Sequence, residues 1–164
     1  SFMRDTGSGI SPFNAWATQL GLETLSLRME RHVSNAQKVA EWLEQQELVD
    51  TVNYAGLPSS PWYEVHKRVC PKGASSVLAF DIKGSTKEAW TFIDALKLHT
   101  NLANLGDVRS IVTHPGSTTH SQLTTEAKKH AGITDATIRL SVGLESVDDI
   151  IADLQRGFDA VAAL

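Results

Sequence analysis

Cysteine is almost missing from this 164-residue sequence, and the single one, Cys70, has no mate for an intrachain disulfide and no companions for a Cys-rich zinc site. No motif surrounds Cys70, which sits beside Pro71, so it reads as structural and not as a nucleophile. Basic excess is missing too: Lys plus Arg number 15 against 19 for Asp plus Glu, a net charge of -4. No segment concentrates the cations that phosphate binding needs, which argues against a nucleic-acid surface. No apolar run approaches the roughly 20 residues that span a bilayer, and no charged-then-apolar export signal opens the chain. These absences predict a soluble, cytoplasmic protein with no membrane contact. A Gly-x-Ser-x-Gly elbow is absent, so the Ser, His and Asp residues present do not make a hydrolytic triad. Gly7-Ser8-Gly9 lacks the Lys and the strand-to-helix setting of a phosphate loop.

What is there suits one compact domain. A composition 41% hydrophobic and 21% charged is that of an ordinary globular core with a solvated surface. The chain opens on Ser1, and Phe2-Met3-Arg4-Asp5 reads like the interior of a longer polypeptide.

Ser11-Pro12 is a helix start, since Ser caps free N–H groups and Pro suits the first turn; that helix should run to about Leu20 and break near Gly21. Leu22, Leu25, Met29, Val33, Ala36, Ala40 and Leu43 recur at helical spacing and predict a long amphipathic helix ending near Gln46. Val49–Tyr54 reads as a strand, and Trp62–Val69 as a short helix whose Trp62 and Tyr63 pack. Ser76–Ile82 alternates, with Val77, Ala79 and Asp81 on one face and Leu78, Phe80 and Ile82 on the other. Ser85 or Thr86 caps a helix over Lys87–Leu98. Ile111–Thr113 is a short strand, Thr124 or Thr125 caps a helix through His130, and Gly132 stops it. Ser146 with Asp149 resembles a capping box before a final helix buried along Ile150, Ile151, Leu154, Phe158 and Val161. The alternation predicts an α/β domain, a short sheet covered by helices, with strand directions left open.

Chemistry concentrates in two stretches. Ile138–Glu145 reads Ile-Arg-Leu-Ser-Val-Gly-Leu-Glu, so Ile138, Leu140 and Val142 share one strand face and Arg139, Ser141 and Gly143 the other. A strand-mounted guanidinium offers a planar fork of donors matched to a carboxylate. Upstream, the polar clusters Asn104–Ser110 and Thr113–Gln122 flank the apolar pair Ile111 and Val112, more hydroxyls and imidazoles than loop stability asks for. His114 and His120 match no zinc spacing, so no metal site is expected.

Several motifs together resemble one known family. Ser11-Pro12-Phe13-Asn14-Ala15, Gly21-Leu22-Glu23-Thr24-Leu25, Arg28-Met29-Glu30-Arg31-His32, Asn104-Leu105-Gly106-Asp107, His114-Pro115 with Thr118-Thr119-His120, and Arg139 through Glu145 look like the C-terminal part of the Cys/Met-metabolism family of pyridoxal-phosphate enzymes. The Asn-x-Gly-Asp form, with the Tyr54-to-Gly73 insert, is most similar to that family's O-acetylhomoserine sulfhydrylase branch, where lyases and cystathionine synthases usually carry Ser-Leu-Gly-Gly.

The resemblance implies the small C-terminal domain of a fold-type I transferase, residues 1–164 forming one substrate-carboxylate domain. It implies that Arg139 grips the α-carboxylate of the amino-acid substrate, with Asn104 where the family places a polar or main-chain contact to the same carboxylate and Thr119 beside it at the pocket wall. The implied reaction converts O-acetylhomoserine and sulfide to homocysteine and acetate. The implied cofactor is pyridoxal 5'-phosphate, held on a lysine in a preceding large domain that this chain lacks; Ser85-Thr86-Lys87 is a helix start and not that lysine's segment. No catalytic or cofactor-binding residue is expected within the chain, and the chain alone is expected inactive. Partners implied are the missing N-terminal domain and further copies in a homotetramer. A cystathionine synthase or γ-lyase chemistry on the same family frame, and a non-catalytic assembly module, remain alternatives.

Overall fold

The computed structural model describes residues 5–7 and 9–164; Phe2, Met3, Arg4 and Ser8, and with them the interior-like opening and the centre of Gly7-Ser8-Gly9, lie outside the described residues. Along the chain run α1 (Pro12–Glu23), α2 (Leu25–Leu43), β1 (Val49–Asn53), α3 (Tyr63–Val69), β2 (Val77–Ile82), α4 (Thr86–Ala95), β3 (Thr100–Asn101), β4 (Ile111–Thr113), a 3₁₀ turn (Pro115–Ser117), α5 (Thr125–His130), β5 (Thr137–Ser141) and α6 (Val147–Ala162).

The five strands form one sheet in the order β1-β2-β5-β4-β3, so β5 lies at its centre. β1, β2, β5 and β4 pair antiparallel with their neighbours, and only β3 joins β4 in parallel. Register brings Phe80 opposite Ile138 and Leu78 opposite Leu140, while Ala79 and Thr113 flank Arg139 on either side.

Period-2 alternation then divides the sheet into two unlike faces. Leu78, Phe80, Ile82, Ile138 and Leu140 are buried in one cluster with Val39 and Leu43 of α2, Phe92 of α4, and Ile150, Leu154 and Phe158 of α6. Phe92 and Phe158 meet edge to face with centroids 4.8 Å apart, and Phe80 packs on Phe92 at 5.6 Å. Each such side chain contributes about 1.5–3 kcal/mol by leaving water. Close approach of α6 to α4 depends on Gly157, where an added Cβ would lie 2.6 Å from the Phe92 ring. The opposite face shows Val77, Ala79 and Asp81 only half buried and carries Arg139.

Local signals account for most element ends. Ser11 caps α1 through Asn14 N–H, Ser85 with Glu88 forms a reciprocal capping box on α4, and Thr124 caps α5 through Ala127 N–H. Gly132, in the left-handed region at φ 71°, follows α5 as its stop.

Several expectations are corrected. The first break falls at Thr24 and not near Gly21, which stays helical. α2 ends at Leu43 and α4 at Ala95, both about one turn short of the expected stops, and β3 is an unforeseen strand of two residues. The apolar stripe of the long helix is buried only at Ala36, Ala40 and Leu43; Leu22, Leu25 and Met29 are exposed, and α1 buries nothing. Periodicity reports an amphipathic face but not whether a neighbour covers it. Trp62 is 63% exposed and does not pack, whereas Tyr63 is half buried with Lys67 Nζ 4.6 Å from its ring centroid. Ser146 precedes α6 but makes no side-chain cap, so the expected capping box with Asp149 does not form.

α6 also fixes the segment leading to β3. Asp153, only 3% exposed, accepts hydrogen bonds from the N–H groups of Lys97, Leu98 and His99 at 2.8, 2.9 and 3.1 Å and from His99 Nδ1 at 2.8 Å. Burial pushes the carboxyl up, but the bonds from His99 and the three backbone donors outweigh it and hold the group well below the usual carboxylate range. A depressed folded-state value means the stabilisation is complete above the unfolded value of about 3.9 and fades as pH falls toward the native one. Asp153→Asn should therefore cost about 2–3 kcal/mol near neutral pH, and the gap from wild type should narrow below about pH 4 in urea titrations.

Candidate functional site

β5 builds the site because its two faces do different work. Ile138 and Leu140 are fully buried in the core, so the strand cannot slide or rotate, and Arg139 projects from the other face at a fixed height. Arg139 is a half-buried residue, and its guanidinium donates from Nη2 to the Asn104 carbonyl at 3.0 Å in a solvent-exposed bond. No carboxylate of a described residue lies within ion-pairing distance of it. The remaining N–H donors of the fork keep a positive charge aimed at that surface with its acidic complement missing.

The loop carrying Asn104 is pinned across the same face. Leu102 N–H donates to Val112 O at 3.1 Å, Gly106 N–H to Ser141 Oγ at 2.9 Å, and Leu144 N–H to Val108 O at 2.8 Å. Gly106 sits at φ 78°, a conformation that favours glycine and brings its N–H onto the strand. Asn104 folds its own side chain back, Oδ1 accepting from Leu105 N–H at 2.9 Å, so the main chain and not the amide faces Arg139.

At the loop's end Ser110 is buried and donates twice to Glu145, from N–H at 2.7 Å and from Oγ at 2.9 Å, while Gly143 N–H donates to Ser110 Oγ at 2.9 Å. From α2, His32 Nδ1 donates to Val142 O at 2.6 Å, and Asn35 Nδ2 to the carbonyls of Gly143 and Glu145 at 3.0 Å each. Carbonyls only accept, so the His32 proton must sit on Nδ1.

Beside Arg139 stands a second polar group. Thr113, its register partner, shares a 3.0 Å hydroxyl contact with Thr118, which donates to His114 O at 2.8 Å. His114 is buried with both ring nitrogens committed: Nε2 donates to Asp135 O at 3.0 Å and Nδ1 lies 2.8 Å from Ser117 Oγ. Those bonds make it a brace for the 3₁₀ turn. His120 and Thr119 pair with one another, Thr119 Oγ1 lying 2.8 Å from His120 Nδ1, and among the described residues no group of three or more His, Cys, Asp or Glu is placed to hold a metal.

Of the expected site residues, the structure thus brings Arg139 and Asn104 together through a main-chain contact. Thr119 is exposed on the turn, bonded to His120, and the described residues show no hydrogen bond from it to Arg139 or Asn104. Sequence reasoning missed Thr113, Thr118, Ser110 and Ser141; the one signal was the density of polar residues around Ile111 and Val112.

Gly143 is boxed in: an added Cβ would lie 2.2 Å from Glu145 Oε2 and 2.5 Å from Ser110 N. Gly143→Ala should lower stability by about 1–3 kcal/mol through overpacking, read as a fall in thermal midpoint by circular dichroism.

Comparison with known proteins places this geometry in context. The model of the Cys/Met metabolism PLP-dependent enzyme family matches residues 1–159. An O-acetyl-L-homoserine sulfhydrylase of Corynebacterium glutamicum is 59% identical over 97% of this chain and 36% of its own length. An O-succinylhomoserine sulfhydrylase of Pseudomonas aeruginosa is 46% identical over 98% of this chain and 40% of its own. A crystal structure from Campylobacter jejuni, described as an O-acetylhomoserine (thiol)-lyase with N'-pyridoxyl-lysine-5'-monophosphate, superposes with a TM-score of 0.89 at 44% identity, covering 97% of this chain and 38% of that one. This chain therefore spans little more than a third of the length of the relatives it matches.

Proposed function

From the premise that this chain belongs to the Cys/Met metabolism PLP-dependent enzyme family, we propose that it is the substrate-carboxylate part of a sulfhydrylase. The longer protein exchanges the γ-acetoxy group of O-acetylhomoserine for sulfide, giving homocysteine and acetate. The observation that carries this reading is the half-buried Arg139, fixed by a core strand, bonded to the Asn104 carbonyl and without a carboxylate partner among the described residues.

Pyridoxal phosphate, when bound, supplies an electron sink for bond breaking next to the amino-acid carbon. The residues present do not form its cradle. None of the described strands contains a lysine, Lys87 stands in the first turn of α4 behind the Ser85 cap, and Lys128 is spent on the Gly116 carbonyl at 2.7 Å. In this reading the cofactor's lysine belongs to the part of the relatives that this chain does not cover.

The work left to this chain is binding and orientation. The Arg139 fork takes the α-carboxylate in charge-assisted hydrogen bonds, and the Asn104 carbonyl stops the guanidinium from swinging to solvent. Asn104 contributes through its main chain, and Thr119 lines the outer wall. Fixing one end of the substrate turns an encounter into an aligned, effectively unimolecular step at the other. Exposed apolar residues Phe13, Trp16, Leu20, Leu22 and Leu25 form the surface that the cofactor-binding domain covers. The complete protein is cytoplasmic and assembles as a homotetramer in this reading.

In the full-length protein Arg139→Ala should raise KM for O-acetylhomoserine about 100-fold, the equivalent of one lost charge-assisted pair of about 3 kcal/mol. It should lower kcat as well if alignment suffers, and leave the dependence on sulfide unchanged. Steady-state kinetics with each substrate varied decide the matter, and unaltered constants remove the assigned role. Residues 1–164 alone, given pyridoxal phosphate, O-acetylhomoserine and sulfide, should make no homocysteine above background.

A further inference from the structure

We propose that Glu145 is a positioning residue for the substrate clamp, acting through Ser110 on the loop that holds Arg139. The inference rests on Arg139 binding the substrate carboxylate.

Arg139 owes its orientation to a main-chain carbonyl in an exposed loop, a poor anchor unless the loop itself is held. The pins are Leu102 N–H on Val112 O at the start, Gly106 N–H on Ser141 Oγ in the middle, Leu144 N–H on Val108 O beyond it, and Ser110 at the end, held by the one side-chain carboxylate among them. Ser110 is fully buried, and the Glu145 carboxylate takes both of its donors, N–H at 2.7 Å and Oγ–H at 2.9 Å. Gly143 N–H closes the ring by donating to Ser110 Oγ at 2.9 Å. Glu145 is itself anchored, its carbonyl accepting from Asn35 Nδ2 at 3.0 Å and Arg31 Nη2 at 3.3 Å. Glu145 thus ties the loop of Asn104 to the turn after β5 through its carboxylate, while its main-chain carbonyl ties that turn to α2.

A carboxylate placed to hold up the fold would affect stability and nothing else. The geometry here reaches further, because both ends of the Arg139–Asn104 bond lie on segments that the Glu145–Ser110 pair joins. Freeing Ser110 lets the loop shift, and a displacement near 1 Å in a group that fixes substrate geometry costs up to about a hundredfold in rate.

The test is a double-mutant cycle in the full-length protein with Arg139→Ala, Glu145→Ala and the combination, alongside thermal midpoints. Glu145→Ala should raise KM for O-acetylhomoserine about tenfold, leave the sulfide constant unchanged, and add little once Arg139 is already alanine. Glu145→Gln, which keeps an acceptor for Ser110 N–H but loses the second one, should fall in between and serves the same cycle if the alanine variant does not fold. A lowered thermal midpoint with unchanged KM, or an equal penalty with and without Arg139, overturns the proposal. If Arg139→Ala alone changes nothing, the carboxylate-binding reading fails with it. If only Arg139→Ala acts, that reading stands and the role of Glu145 is refuted.

Discussion

A positive charge with no negative partner among the described residues is the constraint around which this domain is arranged. The Arg139 guanidinium spends one donor on the Asn104 carbonyl, in a solvent-exposed bond, and ion-pairs with no carboxylate of a described residue. Arg139 sits on the central strand, where its position is set by the least deformable part of the molecule, with Ile138 and Leu140 on either side sealed in the core. The same residues that make the sheet stable make the arginine immobile. A loop-mounted arginine would lose part of its binding free energy to ordering the chain at the moment of capture.

Comparison with the buried acid of the domain shows the difference between a charge that serves the fold and one left open. Asp153 is met by four donors drawn from the segment ending in His99, and its negative charge is fully answered inside the molecule. Arg139 has one carbonyl and open donors beyond it. Both charges are held by neighbours far away in sequence, but only one of them is complete without a ligand. That contrast, more than the mere presence of an arginine, is what supports the proposed role of Arg139 in binding an acid.

How much of this was legible depended on range. Alternation gave the unlike faces of β2 and β5, and the caps at Ser11, Ser85 and Thr124 were readable because a cap and its target lie within three residues. The polar block around Ile111 and Val112 marked where the site would be. It could not show that Thr113 faces Arg139, which follows from register across β4 and β5, nor that Ser110 meets Glu145, a pairing 35 positions apart. For Asn104 a polar or a main-chain contact was expected; its carbonyl meets Arg139 while its amide turns back on Leu105 N–H, a local choice invisible without coordinates. The misjudged stripe at Leu22, Leu25 and Met29 has the same root: a pattern describes a face and says nothing of its cover.

Those exposed residues complete the physical argument. α1 buries none of its residues against the described chain, although Phe13 and Trp16 pack on each other with centroids 5.7 Å apart. A helix of twelve residues is marginal in water by itself, so a well-capped one showing aromatics to solvent gains its stability from a surface that lies elsewhere. Relatives matched over nearly all of this chain are almost three times as long. The apolar side of the first two helices and the open fork of Arg139 are therefore two forms of one incompleteness: the first calls for more protein, the second for an acid. The core between the sheet and α2, α4 and α6 is closed, and what stays open to solvent is the apolar side of α1 and the start of α2 together with the donors of Arg139.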